Sequence, residues 1–154
     1  MEQRKNIAYE MIATFFWVGY CPVASGTAAT AAGLVVVYLL SAHAFYYLLL
    51  LLVLTGVGIL AADHVEKASA QKDPGIVVID EIVGIMIAML GIPLSWPTAI
   101  CGFFLFRALD MFKIYPVNKF EAIPGGMGIM LDDVMAGLYT NIILSIAVHW
   151  AGIH

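Results

Sequence analysis

The sequence predicts an all-α fold: a multi-pass transmembrane helical bundle of about five spans plus a short N-terminal interfacial helix, built as one domain over residues 1–154. Three observations carry this expectation. Of 154 residues, 62% are apolar and only 12% are charged, 7 basic and 11 acidic, against roughly 25% charged in ordinary soluble domains. The mean hydropathy is +0.95, and a soluble domain of this length leaves roughly 30% of its extended-chain surface exposed, for which this chain lacks polar cover. The charges are also grouped, in islands at Glu2–Glu10, Asp63–Glu81 and Arg107–Asp133, with uncharged sequence between them.

Taken in order, Ile7–Val18 is a short apolar segment ended by Gly19, Pro22, Ser25 and Gly26. It reads as an interfacial or partly inserted helix, too short to span, and no small-residue cleavage pattern marks it as a removable signal. Met11–Ala62 runs 52 residues without a formal charge, room for two spans of roughly 20 residues with a turn marked by Ser41 and His43. Ile82–Phe106 adds 25 uncharged residues with Gly91, Pro93 and Pro97 near the middle, the pattern of a helical hairpin. Val134–His154 supplies a last stretch of 21. Folding both long gaps into hairpins puts all seven Lys and Arg on one side, which the positive-inside rule makes cytoplasmic, with the C-terminus outside. Tyr20, Tyr46, Tyr47 and Trp96 read as interfacial anchors.

Several function classes drop out. A net charge of -4 gives no basic excess for nucleic acid. Cys21 and Cys101 have no metal-ligand spacing and read as packing residues rather than a disulfide framework. Cys101 and Arg107 match the Cys-x5-Arg spacing of cysteine-dependent phosphatases, but the residues between them form an apolar helix, not a loop of N–H donors. His64 beside Asp63 reads as a solvated residue. Nothing in the sequence identifies a protein partner.

The chemistry must lie in the acids, because a carboxylate at the edge of a membrane helix is costly unless paired, metal-bound or functional. Asp80 and Glu81 open the apolar helix Ile82–Leu90, with Asp73 nearby. Gly84, four residues after Asp80, lets another helix approach closely. The alternative role for these acids is helix capping. Arg107, Asp110 and Lys113 recur at i, i+3 and i+6 on one sector of a helix, either as a site for a metal phosphate or as an ion-pair ladder. Gly125, Gly126 and Gly128 precede Asp132 and Asp133, with Gly137 four residues later, and such a glycine run brings backbone N–H groups near an anion. Ser25, Gly26 and Thr27 at a helix start offer either an anion site or an N-cap.

Five carboxylates from different helix ends, Asp80, Glu81, Asp110, Asp132 and Asp133, would repel strongly if they converged without a cation. An oxygen-only set favours Mg2+ over Zn2+. Any of the five could be a ligand, and one of them a general base or nucleophile, while Arg107 and Lys113 would stabilise charge on a transferred phosphoryl group.

The blocks Gly19–Thr27, Asp73 with Ile79–Gly84, Phe106–Arg107 with Asp110, Lys113 and Pro116, and above all GGMGIMLDDVMAG at Gly125–Gly137 resemble the bacterial phosphatidylglycerophosphatase A family, integral-membrane lipid phosphatases, over most of the chain. The resemblance implies Mg2+-dependent hydrolysis of phosphatidylglycerophosphate to phosphatidylglycerol and inorganic phosphate at the cytoplasmic face of the bacterial inner membrane. It implies catalytic roles for Asp80, Glu81, Asp110 and Asp133, with Asp132 as a further metal ligand. Substrate contacts would fall to Arg107, Lys113, Ser25, Gly26, Thr27 and Gly126. The competing expectation is a small cation- or proton-coupled transporter or channel using the same acids. The likeness of GIVVIDEIVG to GIMLDDVMAG hints at an internal repeat in that sense.

Overall fold

The computed structural model describes residues 6–112, 115, 119 and 122–151, and among these it is all helical, with no strand. Among the described residues six α-helices follow one another: α1 (Ile7–Ala13), α2 (Ser25–Leu40), α3 (Ala44–Ser69), α4 (Ile79–Met89), α5 (Trp96–Phe112) and α6 (Gly126–Ala151). A 3-10 turn, Val18–Tyr20, lies between α1 and α2.

The short first helix is present, but it stops at Ala13. The chain then turns through Phe15, Phe16 and Trp17, all at positive φ, and the Tyr20 hydroxyl donates back to Glu10. α1 packs on α3, partly through the stack of Tyr9 on His64 at 4.7 Å. His64 is therefore no solvated residue: its Nε2 is buried without a hydrogen-bond partner. Ser41 and His43 do mark the turn between α2 and α3.

Among the described residues two helices are long and apolar enough to cross a membrane, α3 and α6. Only 22% of the most apolar window of α3 is buried, so most of that helix faces outward, an arrangement consistent with hydrocarbon contact. Phe45, Leu52, Leu60, Phe104 and Ile142 likewise point outward.

The second hairpin forms, with residues 90–95 as its link, but its arms are unequal. α4 has 11 residues, a rise of about 16 Å, roughly half the hydrocarbon thickness. It is also the most enclosed helix. Ile79, Ile82, Val83, Ile85, Met86 and Ala88 are all fully buried, and α4 packs on α2, α3, α5 and α6. Glycines on those neighbours admit it: Gly33 of α2 lies against Ile82 and Ile85, Gly58 of α3 against Ile79, and Gly102 of α5 against Met89. Small residues at helix contacts are what close approach demands where no hydrophobic effect separates helix from lipid.

Tyr47 departs from its expected anchor role. It is buried, and its hydroxyl donates to the Met86 carbonyl at 2.6 Å, tying α3 to α4. Trp96 and Tyr46 stay exposed. Both cysteines are free and exposed rather than packed.

Candidate active site

The helices alternate in direction, so the start of α2, the start of α4, the end of α5 and the start of α6 meet at one end of the bundle. They enclose a cavity of about 350 Å³ lined by Ser25, Gly26, Asp73, Asp80, Glu81, Arg107, Asp110, Asp132 and Asp133, with Ala24, Gly75, Val77, Met111 and Ile129.

The two acids of α4 do not cap their helix. Its N-cap is Val78, with no side-chain cap hydrogen bond, and the acids turn inward instead. Asp80, Glu81 and Asp133 each offer an oxygen, and the three oxygens lie within 4.8 Å of one another. Asp80 Oδ1, Glu81 Oε2 and Asp133 Oδ2 are buried with no hydrogen-bond partner. Buried carboxylate oxygens this close, lacking donors, fit a hard cation, which would add to the single positive charge that the described side chains lining the cavity supply, and an oxygen-only set suits an ion such as Mg2+.

Arg107 is the counter-charge on the other wall. Its guanidinium lies 2.5 Å from Asp110 Oδ2 and 3.8 Å from Glu81 Oε1. The i, i+3 pair expected from the sequence is thus real, but it is no exposed ladder. Both side chains are about one-sixth exposed, 17% and 16%, and Arg107 Nε is buried without a partner. A planar guanidinium with donors to spare is the side chain best shaped to hold phosphate oxygens.

α2 closes the cavity at backbone distance. A Cβ on Gly26 would collide with Glu81 Oε1 and lie 3.1 Å from both terminal nitrogens of Arg107, so glycine there keeps room between the two walls. Ser25 does not cap α2, whose N-cap is Ala24 at φ 50°. Its hydroxyl donates to the Gly75 carbonyl at 2.9 Å, fastening α2 to the 70–78 loop.

The structure therefore brings together Ser25, Gly26, Asp80, Glu81, Arg107, Asp110, Asp132 and Asp133. It does not bring Thr27, which is exposed and outside the lining, because one residue along a helix turns a side chain through about 100°. Gly126 is also outside the lining: a Cβ there would meet Ile59 O and Asp63 N, so its smallness serves the packing of α6 on α3. Lys113 lies outside the described residues. Asp73 was absent from the expected site residues, yet it lines the cavity from a left-handed backbone at φ 49°. The signal available was the Asp73-Pro74-Gly75 turn just before the Asp80-Glu81 pair. The Cys-x5-Arg match is void, since Cys101 faces outward and α5 is helical throughout that stretch.

The class this defines is an apolar helical bundle with acids and an arginine gathered in one pocket at its end, where three of the carboxylates could hold a metal ion. The family model for phosphatidylglycerophosphatase A matches residues 11–148. Phosphatidylglycerophosphatase A of Escherichia coli K12 is 32% identical over 146 residues, covering 92% of this chain and 85% of that protein. The Haemophilus influenzae protein of the same name is 34% identical over 150 residues, covering 91% and 88%. A Bacteroides thetaiotaomicron protein provisionally named phosphatidylinositol-3-phosphatase is 38% identical over 155 residues, covering 94% and 96%. No solved structure matches the chain significantly. The chain belongs to the phosphatidylglycerophosphatase A family and is a phosphoric monoester hydrolase.

Proposed function

We propose that the protein hydrolyses the terminal phosphate of phosphatidylglycerophosphate, giving phosphatidylglycerol and inorganic phosphate, with Mg2+ in the carboxylate cluster. The observation that carries this reading is the meeting of acids from α4, α5 and α6 with Arg107 in one cavity. The same reading takes α2–α6 as a multi-pass bundle in which α4, at about half the hydrocarbon thickness, is the enclosed member. With the charged helix ends together at one rim, positive-inside orientation turns the cavity to the cytoplasm of a bacterial inner membrane.

Asp80, Glu81 and Asp133 would hold the ion, with Asp132 and Asp110 beside them. Bound there, the ion would supply positive charge against the phosphoryl group and make the attacking water more acidic. Arg107 holds the phosphate oxygens through its guanidinium, and Lys113 adds a second cation. Gly26 lets the phosphate sit against the N-terminal backbone of α2. Water attacks phosphorus and a carboxylate of the cluster takes its proton; the bond from phosphorus to the glycerol oxygen breaks with its electron pair on that oxygen, which takes up a proton to leave as the alcohol. The family match and the gathering of the cluster at one end favour this reading over a cation pathway, which needs charges along its length.

The test is purified protein in detergent, with phosphate release measured from phosphatidylglycerophosphate and, in parallel, phosphatidylinositol 3-phosphate, each with Mg2+ and with EDTA. Mg2+-dependent release from the first substrate is the expected result. Faster release from the inositol lipid, in line with the name of the Bacteroides relative, would transfer the same mechanism to another headgroup. Release from neither would end the phosphatase reading.

A further inference from the structure

α2 and α5 border two cavities, not one. The polar cavity lies at their charged ends, against Ser25 and Gly26 of α2 and Arg107, Asp110 and Met111 of α5. A second, of about 620 Å³, is lined chiefly by Leu34, Val35 and Tyr38 of α2, by Leu94 in the link, and by Trp96 and Ala99 of α5. Gly26 to Leu34 and Arg107 to Ala99 are eight residues each, so the second cavity begins about 12 Å farther along the same helix pair and, reaching Ser41 and Ser95, ends about 18–22 Å along it. One leaflet of hydrocarbon is about 15 Å deep, half of a roughly 30 Å core.

The floor beneath this seam is α4. Gly33 packs on Ile82 and Ile85, and Gly102 on Met89, so both helices turn small faces inward to α4. Their large side chains point outward: Val35 is 58% and Tyr38 71% exposed on α2, with Ile100 52% and Phe104 67% exposed on α5. A lipid whose headgroup sits against Arg107 must lead its chains away from the charged rim. The two cavities share α2 and α5 as walls, so a chain led away from the polar cavity along this helix pair would reach the second one.

We propose that the seam between α2 and α5, ending in the cavity at Leu34–Tyr38 and Leu94–Ala99, is the subsite for an acyl chain of the lipid substrate. The proposal rests on the lipid phosphomonoester reading above. The occupant is the substrate's chain rather than bulk lipid, because the same two helices line both cavities at the spacing of one chain.

Two measurements on the full chain test it. In phosphatidylcholine nanodiscs, phosphatidylglycerophosphate carrying a diazirine near the end of its acyl chain is photolysed and the adducts are mapped. Labels on 34–38 or 94–99, displaced by unlabelled phosphatidylglycerophosphate but not by added phosphatidylcholine, are expected. Labels displaced equally by both lipids, or found elsewhere, would mean bulk lipid only and overturn the proposal. In the kinetic arm, Val35→Trp and Ala99→Trp each narrow the cavity, and Leu52→Trp, on the exposed face of α3, is the control. The seam variants should raise KM for the long-chain substrate about tenfold, the equivalent of losing about two buried methylenes. Turnover of a dibutyryl analogue should stay within twofold, and the control should change neither. Equal effects on both chain lengths, or none, refute the subsite. Substrate-specific labelling of the seam without phosphate release by the parent protein would keep the subsite and remove the proposed reaction. Release with no label in the seam does the reverse.

Discussion

Gly84 and Asp133 are in backbone contact across two helices: a Cβ on Gly84 would lie 3.0 Å from the Asp133 carbonyl oxygen and 2.5 Å from Phe106 Cζ. Gly84 stands one turn beyond Asp80 on α4. Gly137, one turn beyond Asp133 on α6, in turn faces the Gly84 carbonyl. The spacing of the three acids is therefore set by glycine contact a turn deeper in the bundle, where backbone rather than side chain determines how near two helices come.

Gly84→Ala should accordingly damage activity without touching a charged group. The new methyl must displace Phe106 or push α6 outward, an overpacking cost of about 1–3 kcal/mol. Phosphate release is expected to fall at least tenfold, with a lower melting temperature in detergent. A fully active Gly84→Ala protein would show that the acids are not positioned through this contact.

Neighbouring residues on α2 should behave oppositely. Gly26→Ala drives a methyl into Glu81 and the Arg107 fork and is expected to abolish activity. Thr27→Ala changes an exposed side chain outside the cavity and should leave kcat/KM within about twofold. Melting curves of both variants separate lost chemistry from lost folding.

The carboxylate cluster makes a prediction about stability as well as rate. Asp80→Asn and Asp133→Asn should each reduce phosphate release at least a hundredfold. In EDTA, both variants should melt no lower than the parent, since each removes one of three crowded negative groups. Adding Mg2+ should stabilise only the parent, by about 2.7 kcal/mol at a hundred times its Kd. A parent whose melting temperature ignores Mg2+ would argue against a metal at this cluster.

Arg107 should not tolerate even its conservative replacement. An ammonium cannot present a planar fork to phosphate while facing both Asp110 and Glu81, so Arg107→Lys is expected to lose at least tenfold in kcat/KM while staying folded. Arg107→Ala leaves two largely buried acids without their counter-charge, and destabilisation of about 3–5 kcal/mol should accompany the loss. Thermal denaturation of the two variants side by side distinguishes these effects.

Composition, charge grouping and the turn at Ser41 and His43 were enough to place the helices that bracket the site, because a hydrocarbon-facing helix must be written as a long uncharged run. The acids were legible for the same reason: few residues are so expensive at a helix end, and the capping explanation for Asp80 and Glu81 fails only once Val78 is seen at the N-cap. Gly84 was readable as a point of close approach, though its partners were not.

Which face each residue presents was beyond the sequence. Thr27 and Gly126 belong to promising motifs, yet a rotation of about 100° per residue sends one outward, and a neighbouring helix claims the other. Asp73 enters the cavity only because the chain turns at a left-handed residue before Pro74. The enclosure of α4 by four other helices was likewise invisible in a run of apolar residues that reads the same whether lipid or protein surrounds it. What the linear chain determined by itself is its helical, apolar nature and the identity of its acids and arginine, since those follow from residue chemistry and period. Only tertiary packing decided that Asp80, Glu81 and Asp133 share one pocket with Arg107, because their distances depend on how closely glycine contacts allow separate helices to approach.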